Sequence, residues 1–200
     1  MKVLAKAEKW KLAEVFTISR GSRTETELVT VTLDDGTFEG RGECMANPRY
    51  NETQESVLAC IKKIDIDDQI DRHKLQTLLP ACAARNAIDC ALWDLEAKRA
   101  GKRVMELVGL DESATVTTAF TISADTPDKM AVAAHRNSAR PLLKLKISGD
   151  GDVDRVKAVR YGAPNARLIV DANEAWTEDM VEPLSKQLKS LGVEMIEQPL

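Results

Sequence analysis

The stretch LLKLKI, residues 142–147, decides the fold, because it alternates between apolar and lysine side chains. In a β-strand successive side chains point to opposite faces, so Lys144 and Lys146 share one face and the apolar residues share the other. The stretches LIVDAN, residues 168–173, and EMIEQP, residues 194–199, repeat this arrangement. Each carries its polar side chains near the carboxyl end of the strand. The three stretches therefore predict neighbouring strands of one sheet with a shared polar site.

The sequence around these stretches alternates between strand and helix patterns. The strand patterns are TVTTAFTIS, PLLKLKIS, ARLIVDAN and VEMIEQP, and helical patterns begin near Thr126, Asp152 and Thr177. Strands that alternate with helices of ten or more residues are typical of βαβ units and a parallel sheet. We therefore predict the first half of a (β/α) barrel domain, with about four βα strands, over residues 115–200. Barrel enzymes build their active sites at the carboxyl ends of such strands.

Residues 1–114 follow a different pattern, which predicts a separate α+β capping domain before the barrel. Short alternating runs between positions 3 and 43 indicate an antiparallel meander, and Asp-Asp-Gly at 34–36 is a strong hairpin signal. Helical patterns follow the meander. The predicted helices are residues 51–64 with Asn51 as the cap, a short helix from Asp71 to just before Pro80, and residues 81–98 with Gly101 as the stop.

The composition is that of an ordinary globular protein, with 44% hydrophobic and 30% charged residues. The net charge is −4 and like charges do not cluster along the chain, so we expect neither nucleic acid nor a membrane as a partner. The first residues lack the unbroken apolar core of a signal peptide, which predicts a cytoplasmic protein. No cysteines have CxxC spacing, so we expect four reduced core thiols. These are Cys44, Cys60, Cys82 and Cys90.

The polar residues of the barrel strands suggest metal-assisted proton transfer. Asp171 and Glu197 offer hard oxygen ligands without His or Cys, which suits Mg²⁺ better than Ca²⁺ or zinc. Lys144 together with the metal would make Lys146 a base at neutral pH, able to remove a proton α to a metal-bound carboxylate. A lone strand lysine is usually a solvated edge residue, and an aspartate after a strand is usually a turn or cap residue. Agreement between three strands, at spacings of 25 and 26 residues, favours the shared site.

These residues resemble the K-x-K branch of the enolase superfamily, which includes muconate lactonizing enzymes, o-succinylbenzoate synthases and dipeptide epimerases. The likeness is strongest to the L-Ala-D/L-Glu epimerases and runs along nearly the whole chain. Besides the three strand motifs, it rests on RGSRTE at 20–25, GRGECMANPRYNET at 40–53 and LLPACAARNAIDCALWDLEAK at 78–98. The resemblance implies an Mg²⁺-dependent isomerase that epimerises dipeptides such as L-Ala-D/L-Glu in murein peptide metabolism, through α-proton abstraction and an enediolate.

The resemblance also implies roles for the site residues. Lys146 would be one of two acid–base lysines, and Lys144 would polarise the bound carboxylate. Asp171 and Glu197 would be two of three Mg²⁺ ligands, and Asn173 would support the metal site.

Two arginines of the RGSRTE motif complete the implied site. Arg23, in a mobile loop over the barrel mouth, would pair with the side-chain carboxylate of a Glu-containing dipeptide, with Arg20 as a weaker candidate for the same role. The alternative for Arg23 is an ordinary solvated loop arginine.

The family places its third metal ligand and second lysine on later strands. We therefore expect residues 1–200 to be the N-terminal portion of a longer enzyme, inactive alone and prone to pair with another copy through the open half barrel. Two kinds of alternative stay open. One is another reaction of the branch, by an N-acylamino acid racemase, an o-succinylbenzoate synthase or a cycloisomerase. The other is a non-catalytic truncated copy that acts by binding.

Overall fold

The computed structural model describes residues 1–67, 69–110 and 115–200, and the chain divides into two compact units. Unit one comprises Met1–Lys11 and Glu25–Ala114, and unit two comprises Leu12–Thr24 and Thr115–Leu200. Each unit has its own hydrophobic core. The predicted domain boundary after residue 114 falls at the edge of residues that lie outside the described ranges, and it stays a prediction. Among the described helices, none has the length and apolar character needed to cross a membrane.

The sheet that begins the chain has the order β1-β2-β3. Its strands are β1 (Lys2–Ile18), β2 (Gly21–Asp34) and β3 (Glu39–Cys44). β1 is one strand of 17 residues, where the sequence pattern suggested separate short runs. The predicted hairpin is confirmed, because β2 and β3 pair antiparallel and Gly36 between them has a φ of 91°.

Helices cover the sheet of unit one. They are a 3-10 helix (Pro48–Tyr50), α1 (Gln54–Lys63), α2 (Arg72–Leu78), α3 (Ala83–Ala100) and α4 (Val104–Leu107). The prediction that Asn51 caps α1 was wrong. Asn51 adopts a left-handed conformation and closes the 3-10 helix, whereas the Thr53 hydroxyl accepts from the Ser56 amide to start α1. The caps at Asp71 and Gly101 are confirmed.

The four cysteines are free thiols in different surroundings. Cys44 is buried, Cys60 and Cys82 are half-buried, and Cys90 is exposed on α3, so the expectation of four core thiols was wrong for Cys90. Burial is the main reason that the pKa of Cys44 rises to about 11. A thiol with a raised pKa is a poor nucleophile, so Cys44 fits a packing role.

Unit two contains a parallel four-stranded sheet in the order β4-β5-β6-β7. Its elements are β4 (Phe120–Ile122), α5 (Pro127–Arg136), β5 (Leu142–Lys146), α6 (Asp152–Gly162), β6 (Arg167–Asp171), α7 (Glu178–Ser190) and β7 (Val193–Glu197). The order and the alternation agree with the predicted half barrel. β4 is shorter than its nine-residue pattern suggested.

One face of this parallel sheet forms the core of unit two. Leu143, Leu145 and Ile147 are fully buried in a cluster with apolar residues of α5, α6 and α7. Lys144 and Lys146 of β5 lie on the opposite face of the sheet, away from these helices. The predicted assignment of the two faces is therefore confirmed for β5 and β6, because the apolar side chains of these strands are buried against the helices.

Candidate active site at the carboxyl ends of the parallel strands

The polar ends of three adjacent strands lie side by side. In the parallel register Lys146 of β5 pairs with Asp171 of β6, and Asp171 pairs with Glu197 of β7. Lys144 lies two residues before Lys146, on the same face of β5. Residues that are 25 and 26 positions apart in the chain thus reach one level of the sheet, as their spacing predicted.

Two lysines and two carboxylates form a compact cluster there. The Lys146 amine donates to Asp171 Oδ2 at 2.6 Å, and the Lys144 amine lies 3.2 Å from the same oxygen. Lys144 also donates to Glu197 Oε2. The Asp171 side chain is 2% exposed and that of Lys146 is 11% exposed, whereas Glu197 is half-buried. The cluster balances two positive and two negative charges, which reduces the cost of burying them.

The electrostatics of the cluster favour the charged forms of Asp171 and Lys144. Burial opposes the charge of Asp171, but the Lys146 ammonium, the Asn173 amide and the Lys144 ammonium outweigh it, and the pKa of Asp171 lies below its ordinary value. Burial also opposes the charge of Lys144, yet its pKa is raised by the bonds to Glu197 and Asp171. The prediction that Lys144 and the metal together make Lys146 a base stays a prediction.

The turn after β6 has an unusual backbone. Asn173 and Glu174 have φ angles of 48° and 63°, in the left-handed region that non-glycine residues seldom adopt. This geometry directs the Asn173 amide at Asp171 Oδ1, at 2.9 Å. The Asn173 side-chain oxygen is buried and has no hydrogen-bond partner among the described residues. A buried acceptor of this kind is costly unless a ligand or water completes it.

These oxygens fit a hard divalent cation. Asp171 and Glu197 supply carboxylates from neighbouring strands, and Asn173 supplies the unpartnered amide oxygen. Within the described residues, no three His, Cys, Asp or Glu side chains gather as a metal-binding group. The candidate donors, two carboxylates with an amide oxygen in support, are all oxygen, a chemistry that suits Mg²⁺ better than zinc.

Residues Leu12–Thr24, here called the hairpin segment, contact the same turn. Ser19 and Arg20 form the two-residue turn between β1 and β2. The Arg20 guanidinium and the Ser19 hydroxyl donate to the Asn173 carbonyl at 2.7 and 3.1 Å. Arg20 also lies 3.6 Å from the Glu174 carboxylate. Arg20, proposed from sequence as a substrate contact, here contacts the backbone of the β6 turn.

Arg23 lies in the part of the hairpin segment that belongs to β2. The prediction that it occupies a loop was wrong, because residues 21–25 belong to β2. Its guanidinium lies 5.3 Å from the centre of the Phe16 ring, and the Lys146 amine lies 5.8 Å from the same centre. Phe16 and Ser19 were missed from sequence. The alternation in EVFTIS could have placed Phe16 on one face, but no local signal identifies its partners.

A cavity of about 700 Å³ lies elsewhere in unit two. It runs along β4 and α5, beside residues 13–16 of the hairpin segment, and none of the predicted site residues lines it. Shape alone would therefore misplace the site. The convergence of lysines, carboxylates and the buried amide oxygen at the strand ends is the stronger chemical indication.

Comparisons with known proteins identify family models and individual relatives that match the chain. The family model for the mandelate racemase / muconate lactonizing enzyme N-terminal domain matches residues 1–109, and the model for the enolase C-terminal domain-like family matches residues 129–200. The L-Ala-D/L-Glu epimerase of Escherichia coli (strain K12) is 43% identical over 197 residues, which cover 96% of this chain and 61% of the relative.

Two solved structures share the fold. One is an enolase family member from Agrobacterium tumefaciens with homology to dipeptide epimerases, with bound sodium and L-Ala-L-Glu. It is 47% identical with a TM-score of 0.93, covering 99% of this chain and 61% of that one. The other is a dipeptide epimerase from Enterococcus faecalis V583 with Mg and L-Leu-L-Tyr. It is 28% identical with a TM-score of 0.87, covering 99% and 60%. The chain spans about 61% of the first relative's length.

Proposed function

Since the chain belongs to the mandelate racemase and muconate lactonizing enzyme family, we propose that it supplies active-site residues of an Mg²⁺-dependent dipeptide epimerase. One observation carries the proposal. Lys146, Asp171 and Glu197 lie in register at the carboxyl ends of three adjacent parallel strands, with Lys144 in contact with both carboxylates. A base beside two carboxylates and a buried amide oxygen is suited to removal of an α-proton.

The side chains divide into metal-holding and proton-transferring groups. Asp171 and Glu197, supported by Asn173, would hold Mg²⁺. When bound, the cation supplies a Lewis acid that stabilises negative charge on a substrate carboxylate. The Lys144 ammonium, which already lies among carboxylates, would place a second positive charge beside the same group.

Lys146 would perform the proton transfer. Its neutral amine accepts the α-proton of the C-terminal residue of the dipeptide, and the electron pair of the broken C–H bond moves into the carboxylate as an enediolate. Return of a proton to the opposite face of the α-carbon, from the second acid–base lysine that the family places on a later strand, would give the epimer. The ring of Phe16 near this amine limits contact with water on that side of the site.

The hairpin segment would select the substrate. Arg23 is the candidate for the side-chain carboxylate of L-Ala-D/L-Glu, because a guanidinium binds a carboxylate through two parallel hydrogen bonds. The E. coli relative is an L-Ala-D/L-Glu epimerase, and the A. tumefaciens structure holds L-Ala-L-Glu. Both support a glutamate-containing dipeptide as the substrate of a protein with a capping domain and a barrel domain.

Exchange of the α-proton in D₂O tests the proposal. The whole protein encoded by the gene, incubated with Mg²⁺ and L-Ala-L-Glu, should lose the glutamate α-proton signal in ¹H NMR and form L-Ala-D-Glu, and EDTA should stop both changes. Exchange of N-acylamino acids in place of dipeptides would move the assignment to a racemase of the same branch. A folded protein that exchanges neither class would contradict the proposal and favour a binding role.

The variants Arg23→Met and Arg20→Met separate recognition from loop support. Loss of a charge-assisted bond to substrate should raise KM for L-Ala-L-Glu in Arg23→Met by roughly 10- to 100-fold, with little change for L-Ala-L-Leu. Arg20→Met is the matched control, because its guanidinium contacts the Asn173 carbonyl. Its effect should be similar for both dipeptides. A KM increase limited to L-Ala-L-Glu in Arg20→Met would reverse the two roles.

A further inference from the structure

Asp152 is a buried carboxylate that the proposed reaction does not use. It is the first residue of α6, and its side chain is 0% exposed. It accepts hydrogen bonds from the amides of Ser148 and Gly149, both at 2.9 Å, and from the Trp176 indole N–H at 2.9 Å. The Arg155 guanidinium adds a fourth bond at 3.1 Å. An ionised carboxylate is stable in such a position only because donors satisfy both oxygens.

The donors come from the loops that carry the candidate site. Ser148 lies two residues after Lys146, in the loop that follows β5. Trp176 is 4% exposed and lies three residues after Asn173, in the loop that follows β6. The backbone amide of Trp176 donates in turn to the Pro199 carbonyl at 2.9 Å, in the segment after β7. The Asp152 carboxylate and Trp176, through its indole and its backbone amide, thus join the ends of three strands.

Arg155 extends the network to the loop after β4. Besides Asp152, it donates to the Asp125 carbonyl at 3.0 Å and to the Asp150 carbonyl at 2.6 Å. The guanidinium is mostly shielded, with 20% of the side chain exposed, and it balances the charge of Asp152. One hydrogen-bond network, made by Asp152, Arg155 and Trp176, therefore connects the loops after β4, β5 and β6 and the segment after β7.

We propose that Asp152 is a positioning residue, which fixes the Lys146 amine relative to the Asp171 carboxylate by holding the loops after β5 and β6 together. Strand pairing sets the register of the two side chains, but Lys146 and Asp171 are the last residues of β5 and β6, and the ends of secondary-structure elements open most readily. Hydrogen bonds between Asp152 and the loops after β5 and β6 restrain these strand ends. The expected effect of Asp152 on turnover rests on the proposed function. The expected effect of Asp152 on the two loops does not.

Three variants test the inference. Asp152→Asn keeps the shape and removes the charge, Trp176→Phe removes only the indole donor, and Asp154→Asn is the matched control. Asp154 lies on the same first turn of α6 but is exposed, and its ion-pair partner among the described residues is Lys157, at 3.4 Å. The readouts are backbone amide hydrogen exchange, measured well below the melting temperature, and the rate of α-proton exchange.

A positioning role gives a distinct pattern. Asp152→Asn should accelerate amide exchange at least about tenfold in both residues 147–151 and residues 172–177, and lower kcat by roughly 10- to 100-fold with KM changed less than about threefold. Trp176→Phe should affect residues 172–177 alone and lower kcat less. The double variant should be no worse than Asp152→Asn, because both changes break one network. Asp154→Asn should behave as the unmodified protein.

Other outcomes overturn the inference. If Asp152→Asn and Trp176→Phe lower only the melting temperature, and leave loop exchange and kcat unchanged, Asp152 merely stabilises the start of α6. If Asp152→Asn does not fold, Trp176→Phe decides by the same criteria. If the unmodified protein exchanges no α-proton at all, the proposed function fails, while the amide exchange of the two loops still tests the network.

Discussion

Replacement of Lys146 by methionine is expected to lower the rate of α-proton exchange by about 10³- to 10⁴-fold, because a positioned general base contributes up to this factor. Methionine keeps the length and the apolar stem of the side chain, which is 11% exposed, and removes only the amine. The measurement is loss of the substrate α-proton signal in D₂O with Mg²⁺ and L-Ala-L-Glu. KM should change little, since the amine acts on the reacting proton and the other groups bind the dipeptide.

The control for this variant is Lys186→Met on α7. Lys186 is 74% exposed and pairs with Glu182 one turn away, so it matches the chemical change without touching the site. Its exchange rate should equal that of the unmodified protein. If Lys146→Met retained exchange within tenfold of the control, another group would be the base. A melting curve for each variant separates loss of the amine from loss of folded protein.

The face that each barrel strand presents could be predicted from sequence because it depends on a local rule. In LLKLKI the period of two separates Lys144 and Lys146 from the leucines, and helices then bury the apolar side. The nearly equal spacing of the βα units, 25 and 26 residues, brought Lys146, Asp171 and Glu197 to one level. These features need no knowledge of distant contacts, so pattern and periodicity suffice.

Contacts between distant loops could not be predicted in this way. The left-handed conformation of Asn173 and Glu174 is not signalled by glycine in the sequence. It is held by hydrogen bonds from backbone amides to neighbouring segments, such as the bond from the Glu174 amide to the Gln198 carbonyl at 2.8 Å. The Arg20 bond to the Asn173 carbonyl spans 153 positions. A charged residue in a hairpin turn gives no local indication of such a partner, and the substrate role suggested for Arg20 by the family resemblance stays a prediction.

Asp171→Asn is expected to abolish both cation binding and turnover. Asp171 contacts both lysines of the site, at 2.6 Å from Lys146 and 3.2 Å from Lys144. We expect the Kd for Mg²⁺ to rise at least about 100-fold, beyond the effect of typical supporting residues, and the exchange rate to fall about 10³-fold or more. Isothermal titration calorimetry with Mg²⁺ alone measures the first effect and needs no substrate.

The electrostatic part of this effect is separable from metal binding. Without the Asp171 charge, Lys146 loses its carboxylate partner and Lys144 keeps Glu197, which should cost roughly 1–3 kcal/mol of stability after allowance for the partial exposure of the two lysines. Glu194→Gln is the matched control, since Glu194 is a carboxylate of β7 that pairs with Arg167 at 2.6 Å and is 43% exposed. It should leave Mg²⁺ affinity unchanged. Unchanged Mg²⁺ affinity in folded Asp171→Asn would remove Asp171 from the metal site and leave it only the role of counter-ion to Lys146.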